Sequence, residues 1–173
     1  ETEIRNYAWN LMCNLVNKNV LNDYQSSVET ALLTLYAPNE AYGVVANAVN
    51  YINKTLDIFM NEGGEDLGLG ERGTARSEFE GENKQQIDKN ELLRKLYRQN
   101  IISRIKTMLD SFRCPPIYLA SLVTLLRNTC VLNPTKAMPV LNQLEFWDLL
   151  VELINPKVFQ KRANGKKMTE WGT

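Results

Sequence analysis

Six cations of this chain, Arg94, Lys95, Arg98, Arg104, Lys106 and Arg113, fall in one stretch where Asp110 is the only acid. On a continuous helix turning 100° per residue all but Arg104 share roughly a third of the circumference. Such a row can track a phosphate backbone by releasing its counterions, with affinity that falls steeply as salt rises. Two features weigh against that use. The chain carries 20 basic and 20 acidic residues, so no overall field steers it to a polyanion. The row also lacks the interleaved exposed aromatics on which bases stack. A solvated face, partly neutralised by the acidic segment before it, is the favoured reading, and a nucleic-acid-binding helical domain is the alternative.

Other chemistry is thin. With no histidine in the chain, Ser-His and Cys-His nucleophilic systems and histidine-bearing zinc sites are excluded. Cys13, Cys114 and Cys130 are too far apart for the short spacing of a structural metal. Their odd number beside apolar runs favours reduced, buried thiols, and with them a cytoplasmic or nuclear setting. Glu40, Glu145 and Glu152 form no group and read as solvated carboxylates. Gly68-Leu69-Gly70-Glu71-Arg72-Gly73 matches the dinucleotide fingerprint in spacing only. That fingerprint needs a strand before it and a helix start after it, whereas here a helix precedes it and carboxylates that would repel phosphate surround it. Asn53-Lys54-Thr55 is a glycosylation sequon placed in mid-helix with no secretory signal. The expectation is a protein that is not an enzyme and uses no cofactor or metal.

The elements behind these residues are helical. A chain of 173 residues fits one domain able to hide roughly 70% of the surface exposed when unfolded. Its 44% hydrophobic content is too high for disorder throughout, and its apolar runs stop short of the ~20 residues of a membrane span. The opening at Glu1, without methionine or a signal-type core, is consistent with a fragment of a longer protein.

Ile4, Tyr7, Ala8, Leu11, Met12, Leu15 and Val16 keep a three-four period and predict an amphipathic helix over 2–19 that buries this stripe. Asn22-Asp23 offers caps to a second helix with stripe Val28, Ala31, Leu32 and Leu35, ending before Pro38. A third, over 39–61, has Tyr42, Val45, Ala48, Val49, Ile52, Leu56 and Phe59, with Gly63-Gly64 as its stop. Residues 62–86 are acidic and glycine-rich and predict a disordered loop.

Asp88 and Glu91 resemble a capping box opening a stretch to Phe112. Its apolar face, Leu93, Leu96 and Tyr97, then rotates by about a quarter turn to Ile101, Ile105 and Met108. Either a bend or a junction of two helices belongs at Gln99-Asn100. Cys114-Pro115-Pro116 stops it. Leu119, Leu122, Val123, Leu126 and Cys130 mark the next helix, which breaks at Asn133-Pro134, a cap followed by a first-turn proline. Pro139 is expected to disturb the short helix begun there. Phe146, Leu149, Leu150, Leu153 and Ile154 mark the last, and 156–173 is a basic tail. Trp9 and Trp147 adjoin apolar stripes, so core packing is favoured over recognition for both.

Tyr7-Ala8-Trp9-Asn10-Leu11 with Asn14-Leu15 and Asn17, Thr124-Leu125-Leu126-Arg127-Asn128 with Asn133-Pro134, and Phe146 through Leu149-Leu150-Val151-Glu152-Leu153-Ile154 resemble armadillo or HEAT-type helical repeats, over less than half the chain. The resemblance implies stacked helices and a scaffolding role, and assigns no binding residue.

The expected protein is therefore all-α: one domain over 1–155 of six or seven helices, as a helical repeat or irregular bundle. Its expected role is to hold a partner protein on a helical surface within a larger intracellular assembly. Arg94, Lys95, Arg98, Lys106, Arg113, Trp9 and Trp147 are the candidate contacts.

Overall fold

The computed structural model describes residues 1–17, 24–37, 39–62, 89–111, 116–155 and 157. Among them are eight helices and no strand: α1 (Thr2–Asn17), α2 (Tyr24–Tyr36), α3 (Tyr42–Glu62), α4 (Lys89–Arg98), α5 (Ile101–Ser111), α6 (Pro116–Leu132), α7 (Pro134–Gln143) and α8 (Phe146–Ile154). The loop of 63–86, with its spaced glycines and the Gly63-Gly64 stop, lies outside the described residues, as do the Asp88 cap, Cys114, Arg113 and all of the basic tail but Lys157.

Eight helices appear where six or seven were expected, for two local reasons. Asn100 takes a left-handed backbone (φ 53°), so the stretch before Phe112 is two helices meeting at a corner. Asparagine tolerates that region better than most residues. Downstream, α7 runs through Pro139 as a full helix of ten residues. Asn133 caps it, accepting from the Lys136 amide at 3.3 Å with Pro134 at the first position, and buried Ala137 and Leu141 hold it against its neighbours. That packing outweighs the hydrogen bond the proline removes. Asn39 (φ 62°) and Glu145 (φ 50°) make the α2–α3 and α7–α8 corners in the same left-handed conformation.

The long α3 is the centre of the fold, with α1, α2 and α6 all packed on it. Val45, Ala48, Val49, Ile52, Leu56 and Phe59 are buried as their period predicts, and so is the α2 stripe Val28, Ala31, Leu32 and Leu35, whereas Tyr42, expected in the α3 stripe, is exposed in the first turn of the helix. Each large aliphatic so buried stabilises the fold by about 1.5–3 kcal/mol. Gly43 sits where α3 passes close to α1 and α6, since a Cβ there would lie 3.2 Å from the Tyr118 hydroxyl. Beyond α6, the chain continues through α7 to α8, where Phe146 and Leu149 are buried.

Helix α1 departs from its expected orientation. Trp9, Cys13 and Val16 face the core, whereas Ile4, Tyr7 and Leu11 are 71%, 73% and 58% exposed. Trp9 rests on Tyr51 with ring centroids 5.5 Å apart, and that aromatic contact selects the face that is buried.

Tyr97 ties α4 to the end of α6, its hydroxyl lying 3.2 Å from both the Thr129 and the Asn133 carbonyl oxygens. Burial, and secondarily the nearby Cys130 thiol, push its pKa up to about 12. Because the folded value exceeds the ordinary ~10, this contribution is intact below pH ~10 and is lost as pH rises toward 12. Tyr97→Phe should lower neutral-pH stability by about 1 kcal/mol and flatten the alkaline decline relative to wild type, both read from thermal melts by circular dichroism. An identical alkaline slope in both proteins would remove Tyr97 as its source.

Candidate functional site

Polar residues on α3 recur at Asn47, Asn50, Asn53, Lys54 and Asp57, an arc of about 120° at 100° per residue. This is the one side of α3 not taken up by the core, and the flanking helices turn it into a cleft. Asn10, Cys13 and Asn14 of α1 form one wall, Ala120, Ser121 and Thr124 of α6 the other, around a volume of about 590 Å³. That lies within the usual range for ligand pockets, roughly 300–1,000 Å³.

Hydrogen bonds from asparagine side chains fix the walls. Asn47 donates to the Asn6 carboxamide oxygen at 3.1 Å, joining α3 to α1. Asn53 donates to the Ser121 carbonyl at 3.0 Å, joining α3 to α6. Behind it, the fully buried Asn128 donates to Asn53 Oδ1 at 3.4 Å and Asp57 Oδ1 at 3.3 Å. Asn53 and Thr55 are themselves buried, so the sequon is closed to glycosylation in the folded chain. By contrast, the side-chain amides of Asn10, Asn14 and Asn50 make no hydrogen bond among the described residues, and Asn10 and Asn14 are exposed. Each offers two N–H donors and a carbonyl acceptor to a ligand.

The lining is unsuited to nucleophilic chemistry. Burial pushes the Cys13 thiol up, with Lys54 opposing only in part, and its Sγ lies 3.9 Å from the Asn47 carbonyl oxygen. A protonated thiol is a poor nucleophile at neutral pH. No group of three or more acidic or cysteine side chains among the described residues is placed to hold a metal ion, and no helix among them is long and apolar enough to cross a membrane.

The residues singled out from the sequence are scattered. Arg94, Lys95 and Arg98 are on α4 and Lys106 is on α5, so the corner at Asn100 interrupts the single helical row that the spacing suggested. Lys95 pairs with Glu29 of α2, and Lys106 with Asp110 at 3.0 Å. Arg104 turns inward and donates to the Leu35 carbonyl, at 3.0 Å from Nη2, beneath the Tyr36 ring. Arg94 and Arg98 remain exposed. Trp9 is a core residue, 8% exposed, whereas Trp147 is 45% exposed and donates through Nε1 to Asn142 Oδ1 at 2.7 Å. None of these residues lines the cleft.

Sequence reasoning missed the cleft because only the apolar positions of α3 were read for a helical period. The polar positions Asn47, Asn50, Lys54 and Asp57 carry that period as clearly as the apolar stripe does. No protein-family model, curated protein or solved structure matches the chain.

Proposed function

We propose that this is a non-catalytic protein-interaction scaffold of a larger intracellular assembly, and that it holds an extended segment of a partner protein in the cleft between α1, α3 and α6. The armadillo- or HEAT-like helical-repeat arrangement belongs to the same proposal. The observation that carries it is the set of carboxamides facing the cleft with unused hydrogen-bonding capacity, Asn10, Asn14 and Asn50. A carboxamide has the donor and acceptor pattern of a peptide unit, and can bond the main chain of an extended segment from either side. Lys54 and Asp57 are the only charged groups among the described residues of the lining, and they offset one another. A phosphate chain would find no net positive charge there.

The test uses the full chain with a photo-crosslinking residue in place of Asn14, and the same residue in place of exposed Glu29 as the control. Crosslinking to protein at position 14 but not at 29, reduced by Asn10→Ala with Asn50→Ala, is the expected result. Crosslinking equal at both positions would sink the cleft reading. Recovery of nucleic acid alone, abolished by charge reversal at Arg94 and Arg98, would replace it with the alternative.

A further inference from the structure

Resting on the reading of the cleft as a peptide site, we infer that the segment it holds is uncharged and bears large apolar side chains, which it lays on Tyr7, Leu11 and Ile4. Two independent features of the surface lead there. The first is charge. Among the described residues the cleft combines carboxamides and hydroxyls with a single ammonium and a single carboxylate, so a strongly acidic or basic segment would give up hydration there without a compensating field.

The second is the surface next to the cleft. Around α1, Tyr7 lies about 20° beyond Asn14, and Leu11 and Ile4 about 40° and 60° beyond Tyr7, at 100° per residue. The amide lip therefore passes directly into a row of three large side chains that the fold leaves more than half exposed. Apolar rows of this kind on a folded surface mark interaction sites. The distances along the axis also agree. Asn10 and Asn14 are four residues apart, as are Tyr7 and Leu11, a rise of about 6 Å in each case. An extended chain brings every second side chain to the same side about every 6.6 Å. A segment running along α1 thus presents main-chain groups to Asn10 and Asn14 in near register with side chains over Tyr7 and Leu11.

The experiment is selection from a random peptide library displayed on phage, with the full chain as bait. Selected peptides are then synthesised and titrated calorimetrically at about 50 mM and 500 mM salt, a range over which exposed charges become strongly screened. The expected peptides have no net charge and carry apolar residues at alternate positions. Their affinity should change less than about twofold across that salt range. Leu11→Glu should weaken them about tenfold or more, as loss of one buried apolar contact implies. The triple substitution Asn10→Ala, Asn14→Ala, Asn50→Ala, and N-methylation of the peptide at alternate residues, should each weaken them about tenfold. Leu11, Asn10 and Asn14 are exposed, and half-buried Asn50 makes no side-chain hydrogen bond among the described residues, so these variants should keep the wild-type melt.

Peptides that need the asparagines but are charged and salt-sensitive, or are indifferent to Leu11→Glu, would overturn this inference and leave the peptide site standing. Peptides indifferent to the asparagines, or no peptides at all, would overturn both.

Discussion

Truncating Trp9 to alanine should cost about 3–5 kcal/mol and release α1 before the rest of the domain unfolds. Trp9 is the largest side chain that α1 sends into the core, and it packs on Tyr51 at the middle of α3. Its companions on that face, Cys13 and Val16, are smaller, and the principal contacts of α1 are with α3 alone. Domain stabilities are typically 5–15 kcal/mol, so a loss of this size concentrated at one helix removes much of what holds it. Hydrogen exchange followed by mass spectrometry is the measurement. Amides of α1 should lose protection in Trp9→Ala while those of α3 and α6 keep most of theirs. Trp147→Ala, which removes a half-exposed ring and one hydrogen bond, should shift stability by about 1 kcal/mol or less. Equal effects from the two tryptophans would contradict the packing described for α1.

The second large effect is expected at Asn128. Its amide supplies hydrogen bonds to Asn53 and Asp57, and its Oδ1 accepts none among the described residues, in a position closed to solvent. Asn128→Asp keeps the shape, removes both donors and sets a carboxylate against the carboxylate of Asp57. Burying an uncompensated charge costs about 3–5 kcal/mol, so the variant should be close to unfolding at neutral pH. The pH dependence follows from the sign of the shift. Desolvation and the like charge raise the introduced carboxyl above its unfolded value of ~3.9, so the charge penalty is absent below pH ~4 and grows as pH rises above it. Asn128→Leu also loses the donors but introduces no charge, and its deficit relative to wild type should vary far less with pH than that of Asn128→Asp. Melts of the three proteins between about pH 4 and 8 decide it. An Asn128→Asp protein within ~1 kcal/mol of wild type at pH 7 would show that the position is open to water.

Periodicity located α2 and α3 and identified their buried faces, because each has one dense apolar arc opposite polar residues. It failed on α1 for a physical reason. That helix is apolar over more than half its circumference, and Trp9, Cys13 and Val16 follow the helical period as well as Ile4, Tyr7 and Leu11 do. Period alone does not choose between two overlapping faces; the fit of Trp9 on Tyr51 does. The basic row had the opposite weakness. Its grouping assumed an unbroken helix, whereas Asn100 breaks the register and Lys95 and Lys106 are engaged in ion pairs. For the cleft, each wall could be read from the order of residues, but their apposition could not. Asn14, Asn50 and Thr124 meet only because α1 and α6 dock on opposite flanks of α3.

The three corners at Asn39, Asn100 and Glu145 bear on the stiffness of the fold as well as on chain tracing. None is a glycine, and each holds a conformation that a side chain makes narrow and somewhat costly. Turns of this kind have few alternative geometries, so the helices they join meet at preset angles. Such joints favour one tilt of α2 on α3, of α4 on α5 and of α7 on α8, because departing from it would carry the turn residue out of a narrow conformational well.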